Sequence, residues 1–143
     1  MINELDANQR IKNYHSGPRL KTGNHSIFLE KTEKWIRAKF DNQIVANSKN
    51  ASILFEDGHL PMYYFPKKDI NMNLLKKNSK TSNCPFKGDA TYWDLKTSNE
   101  ESLNSAWSYE NPIKGQDELK GLIAFYWNKI GNWYEEDEEV FVH

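Results

Sequence analysis

Cysteine is nearly absent: Cys84 is the only one in 143 residues. A single thiol excludes an internal disulfide framework and a cysteine-rich zinc site. Histidine is also sparse. His15, His25, His59 and His143 are scattered, without the close pairing of a metal-ligating motif. No apolar run reaches the roughly 18 residues that a membrane-crossing helix needs. The opening MINELDANQR has no apolar core of signal-peptide length. Neither sign of charge is in excess. The formal net charge is −1, so no global field points to nucleic acid or to a membrane. No dinucleotide fingerprint or Ser-His-Asp constellation occurs. The stretch Gly17–Asn24 has the wrong glycine spacing for a phosphate loop, with Asn24 where the lysine belongs. These absences predict a cytoplasmic protein with no metal and no cofactor, and no nucleic-acid or membrane partner.

What the chain has instead is rings. Five Trp, seven Tyr and seven Phe make up 13 % of it, in a chain whose mean hydropathy is −0.85. Rings bury much area at low conformational cost, and the length suits one domain. The pattern of most segments has period two. Trp35, Arg37 and Lys39 alternate with Ile36, Ala38 and Phe40. Asp41-Asn42 is a two-residue turn signal, and Gln43–Ala46 returns as the second arm of a hairpin. Ser52–Phe55 and Met62–Phe65 read as strands around the Asp57-Gly58 turn, and Pro66 ends the second. Thr91–Leu95 and Ser105–Tyr109 read as partners, and the apolar run Leu119–Trp127 as a strand by its aromatic end. Val140–Val142 is a last short strand. Lys76–Asn83 reads as a polar loop, and Asn128–Tyr134 as a turn or a single helical turn. Residues 1–32 read as a polar N-terminal arm with a short strand near Ser26–Leu29 and a weak helix near Asn3–Lys12; residues 33–143 form the domain. The fold class is mainly β.

The densest chemistry lies in Thr81–Trp93, TSNCPFKGDATYW. Cys84 becomes a nucleophile only as its thiolate, which a nearby cation favours. Lys87 supplies that cation if Pro85 and Gly88 fold the chain back, and Asp89 then orients or takes a proton. The competing reading is a small buried hydrophobe with an inert thiol. Alternation sends Tyr92 and Trp93 to opposite faces, and likewise Tyr126 and Trp127. With Trp107 and Tyr109 these rings line a stacking pocket or fill an aromatic core, and Trp93 and Trp107 are the expected pocket walls. The acidic run Glu135–Glu139 lacks the spacing of a calcium loop and reads as a solvated edge. It is available to Lys67, Lys68, Lys76 and Lys77 or to a partner protein. These residues leave three functions open: an aromatic pocket for a small ligand, heterocyclic or nucleotide-like; an enzyme built on Cys84, Lys87 and Asp89; or a scaffold that docks through the acidic edge.

Four motifs carry a resemblance. MYYFPKKDI at Met62–Ile70, CPFKGDATYW at Cys84–Trp93, AWSYENP at Ala106–Pro112 and IAFYWNKIGNWYEEDEEVF at Ile123–Phe141 resemble, in order and spacing, the family called domain of unknown function 427. The resemblance runs from about Trp35 onward. It implies a single compact β-tent-like domain of two antiparallel sheets, with little helix, in which packed rings replace the zinc that many β-tent proteins hold. The family is also filed under nucleotidyltransferases. This chain has no Gly-Ser followed by a spaced Asp pair to hold the ions of that reaction, so nucleotidyl transfer does not carry over.

Overall fold

The computed structural model describes the backbone of residues 19–22 and all of residues 25–141. The helix expected near Asn3–Lys12 and the end of the strand expected at Val140–Val142 fall outside them.

Among the described residues twelve strands form two antiparallel sheets. The segments are β1 (Arg19–Thr22), β2 (His25–Lys31), β3 (Ile36–Phe40), β4 (Gln43–Ser48), β5 (Ser52–Glu56) and β6 (Met62–Phe65), then β7 (Leu75–Cys84), β8 (Gly88–Lys96), β9 (Glu101–Ser108), β10 (Ile123–Phe125), β11 (Asn132–Glu135) and β12 (Glu138–Val140). The large sheet runs β1-β2-β5-β6-β10-β9-β8-β7, and the small one β12-β11-β3-β4. Among the described residues the only helices are four three-residue 3-10 turns.

Local sequence explains much of this. In β3 the residues IRAKF alternate between buried and half-buried, as a strand with one covered face requires. Asp41 and Asn42 both take positive φ, 49° and 58°, the conformation whose twist matches a two-residue hairpin. The central strands of the large sheet are covered on both faces, which is why β10 (IAF) and the end of β9 (SAWS) are buried without alternation.

The small sheet covers one face of the large one. Between them lies a core of Ile36, Ala38, Val45 and Trp133 against Phe65, Trp93, Leu95 and Phe125. Trp133 stacks with Phe65 at 6.3 Å between centroids and lies 4.5 Å from Trp127. The opposite face of the large sheet carries a second apolar cluster, including Ile27, Leu54, Tyr64, Tyr92, Trp107 and Leu119.

Several expectations need correction. Lys76–Asn83 is not a loop but most of the edge strand β7, paired with β8 along Leu75↔Leu95 to Cys84↔Gly88. Its residues are exposed on both faces, so no period-two hydrophobic signal exists, and its lysines are the usual protection of an open edge. Asn128–Tyr134 is only partly a turn, because β11 starts at Asn132. The acidic run is a hairpin between β11 and β12, turning at Glu136, whose φ is 53°. Its ion pair is with Lys34 through Glu135, while Lys67 pairs with Glu110. The short strand expected near Ser26–Leu29 is part of β2, which pairs with β5 within the large sheet and buries Ile27 and Phe28.

Candidate functional site

The second face of the large sheet is built by strict alternation. Across four adjacent strands, Tyr64 on β6 pairs with Ala124 on β10, Ala124 with Trp107 on β9, and Trp107 with Tyr92 on β8. Cross-strand neighbours on one face stand side by side, so these residues form one row. Ala124, fully buried, leaves a gap between two large rings. Across it the Trp107 indole N–H donates to the Tyr64 hydroxyl at 3.0 Å, with the rings perpendicular. Tyr126 closes on Trp107 from the side at 4.5 Å between centroids, and the Tyr92 hydroxyl bonds Ser82 on β7 at 2.9 Å.

One end of this face is polar. Glu56, the last residue of β5, opposes Ile27 of β2. Its carboxylate accepts from Lys87 Nζ at 2.6 Å and bonds His25 Nε2 at 2.9 Å, with His59 Nε2 at 3.7 Å. The Glu56 and Lys87 side chains are 6 % and 11 % exposed, so this is a buried ion pair. His25 is held flat against Phe86, with centroids 4.0 Å apart. Burial acts to raise the Glu56 pKa. The Lys87 hydrogen bond and charge, the His25 bond and the His59 charge outweigh it and leave the pKa below its ordinary 4.5.

The turn after Cys84 aims Lys87. The Lys87 N–H donates to the Cys84 carbonyl at 3.1 Å, and the Lys87 carbonyl accepts from Ile113 N–H at 3.0 Å. Gly88 follows with φ +122°, and a Cβ there would meet Asn111 O and Ile113 N at 3.3 Å. Only glycine permits both this backbone and this approach. The residue after Lys87 thereby locks the loop beneath it and turns the ammonium toward β5.

Ring walls and polar end share a cleft of about 1000 Å³. Tyr92, Trp107, Tyr109 and Tyr126 line it, Glu56, His59 and Lys87 stand at the polar end, and Trp127, Trp133 and Phe141 extend it toward β11 and β12. Burial raises the pKa of Tyr64 well above normal. It also raises that of Tyr109, with Cys84, Tyr92, Glu56 and Tyr126 adding to the effect. Burial and the neighbouring Tyr92 push Tyr126 up to about 12. All three are therefore neutral phenols at physiological pH.

The residues singled out from the sequence divide between the two faces. Tyr92, Trp107, Tyr109 and Tyr126 meet on the cleft face. Trp93 does not join Trp107. It pairs with Ala106 across β8 and β9 and points into the core under the small sheet, where its indole donates to Ser108 Oγ at 3.1 Å. The physical reason is the alternation itself, which gives Tyr92 to one face and Trp93 to the other. Trp127 packs against that core yet also borders the cleft, its indole donating to the Pro61 carbonyl at 3.1 Å. Cys84 is partly buried against the cleft-face cluster. The Lys87 ammonium is engaged by Glu56, and Asp89 is exposed and bonded to Asn83 at 2.9 Å. Glu56, His25, His59 and Tyr64 escaped the sequence reading. The Glu56-Asp57-Gly58-His59 turn spacing was the one local signal, since it puts an acid at one end of a tight turn and an imidazole at the other.

Among the described residues no group of three or more His, Cys, Asp or Glu side chains stands arranged to hold a metal ion. None of their helices is long and apolar enough to cross a membrane. Residues 28–136 match a family model described as "Domain of unknown function (DUF427)", whose short label abbreviates NTP transferase. No curated protein matches the chain.

Proposed function

Given that the chain belongs to the DUF427 family, we propose that it binds a small planar ligand, heterocyclic or nucleotide-like, in the ring-lined cleft. The observation that carries this reading is the row Tyr64-Ala124-Trp107-Tyr92, flanked by Tyr109 and Tyr126, over a cleft with Glu56, His59 and Lys87 at one end. A mostly apolar concavity with a few convergent polar groups is the usual form of a small-molecule site. Its volume suits a ligand of one or a few rings. Nucleotidyl transfer has no support in the residues, since no carboxylate cluster among those described fits the divalent ions of that chemistry.

Trp fluorescence tests the proposal. Heterocyclic compounds are expected to quench the emission saturably in the native chain and not in a Trp107→Leu variant that still unfolds cooperatively. Quenching that survives in that variant contradicts the assignment.

Thiol chemistry at Cys84 is the second reading. Its support is the position of Cys84 against the same cluster. Against it stands the Lys87 ammonium, held by Glu56 at 2.6 Å instead of being left to a thiolate. Rapid alkylation of Cys84 by iodoacetamide at neutral pH would revive it. The acidic hairpin has weaker support as a docking edge, because three of its carboxylates have partners within the chain. Glu135 bonds Tyr63 and Lys34, Glu136 bonds the Trp35 N–H, and Glu139 bonds Asn132.

A further inference from the structure

Beside the cleft lies a second, smaller groove of about 350 Å³. Alternation along β5 gives Leu54 to the cleft face, while Ile53 and Phe55 point the other way and line the groove. Ile53 rests against the core between the sheets, and Phe55 stacks on Phe28 at 5.3 Å. Three lining side chains carry polar atoms, and each is engaged. The Tyr63 hydroxyl donates to Glu135, the other Glu135 oxygen accepts from Lys34, and the Trp127 indole donates to the Pro61 carbonyl. What remains is apolar surface open to water. Ile53, Phe55, Met62 and Val140 are half-buried, and Leu60 is 57 % exposed. Contiguous exposed apolar surface is where ligands and partners bind.

The groove is joined to the cleft. Leu60, Met62, Trp127 and Val140 line both. Leu60 and Pro61 lead into β6, and Met62 is its first residue, so the two spaces meet round the start of that strand. Met62 packs on the cleft-face cluster two residues, about 7 Å, from Tyr64. An apolar path therefore leads from the ring row into the groove. Size narrows the occupant further. One turn of helix, about 10 Å across and roughly 5.4 Å high, displaces about 420 Å³, more than the groove holds. A flexible hydrocarbon chain fits it.

We infer that the ligand has two parts: a planar ring that lies in the cleft, and an uncharged aliphatic substituent that rounds the start of β6 and fills the groove lined by Ile53, Phe55 and Tyr63. The inference rests on the binding role proposed above and adds the second part of the ligand to it. The ring supplies stacking in the cleft, and the chain covers the half-buried side chains that the two sheets leave open.

The test is equilibrium binding, read by calorimetry, of three homologous series of probes: alkoxycoumarins, alkoxyquinolines and alkoxypurines, each from methoxy to octyloxy. Affinity is expected to rise by up to about fourfold for each methylene buried. Ile53→Phe fills the groove from a position outside the cleft lining, and is expected to erase the gain from chain length. Because Ile53 packs against the core, Leu60→Asp, at a largely exposed site, supplies a second arm without that folding risk. It is expected to weaken the octyloxy compounds about tenfold more than the methoxy parents. Methoxy parents that bind with no gain along the series overturn this inference and leave the cleft reading standing. A gain from chain length that survives unchanged in both variants does the same, since the chain then lies elsewhere. Self-association of the native chain in sedimentation that Leu60→Asp abolishes gives the groove to a second copy and also overturns it. Absence of binding by every methoxy parent at about 1 mM overturns the cleft reading, and this inference with it.

Discussion

Replacing Lys87 with methionine removes the ammonium and keeps the length of its stem. It leaves the Glu56 carboxylate, 6 % exposed, with His25 as its remaining close partner. Breaking a buried ion pair by removing one member typically costs about 3–5 kcal/mol, because the survivor stays charged and desolvated. His25 hydrogen-bonds the same carboxylate at 2.9 Å and His59 stands 3.7 Å from it, so the low end, about 3 kcal/mol, applies. For a domain of this size that corresponds to a fall of roughly 6–12 °C in Tm. Replacing both members, Glu56→Gln with Lys87→Met, removes the stranded charge and should return stability to within about 1 kcal/mol of the native chain. Urea unfolding followed by Trp emission measures all three proteins. The pH dependence gives a second arm. The folded Glu56 carboxyl titrates below its ordinary 4.5, so its stabilisation is fully present above that pH and fades as the pH falls through the lower folded value. The gap between the native chain and Lys87→Met should therefore narrow below about pH 4.5. A single variant that loses less than about 1 kcal/mol, or a double variant as unstable as the single one, refutes the reasoning about this pair.

Gly88→Ala should lower stability by about 1–3 kcal/mol, since alanine strains the backbone at φ +122° and its methyl meets Asn111 and Ile113; thermal unfolding measures it. Ala124→Leu should destabilise by about 1–3 kcal/mol through overpacking between Tyr64 and Trp107. It should also abolish ligand quenching, and chemical denaturation with binding on the same sample separates the two effects. Tyr63, Tyr64, Tyr109 and Tyr126 all have raised pKa values, with burial the leading cause. In a pH titration of phenolate absorbance these four should stay protonated at about pH 11 while the chain is folded, and ionise together when it unfolds.

The sequence made the strands with one dry and one wet face legible. The hairpin from Trp35 to Ala46 shows both signals, alternation in IRAKF and a turn that tolerates positive φ at Asp41 and Asn42. β7 shows neither, because an edge strand with lysines, asparagine and serine on both faces has no apolar side to betray it. β2 was partly visible as a short strand, but nothing local told that its partner would be β5, about 25 residues on. For the site, alternation correctly separates Tyr92 from Trp93. It does not say which face the small sheet will cover, so Trp93 passed for a pocket wall when it in fact shares a core with Phe65 of its own sheet and Trp133 of the small sheet. The polar end was the least legible part. His25, Glu56 and Lys87 come from three separate segments and meet only through the β2–β5 register and the Gly88 turn.

The central claim is that Trp107, and not Trp93, faces a ligand. The five indole N–H signals of the isotope-labelled protein, each assigned by a single Trp→Phe variant, test it directly during titration with a nucleoside. The account predicts a saturable shift of the Trp107 signal, with Trp127 at the cleft border following more weakly and Trp93 unmoved. A shift of Trp93 with Trp107 unchanged would contradict it.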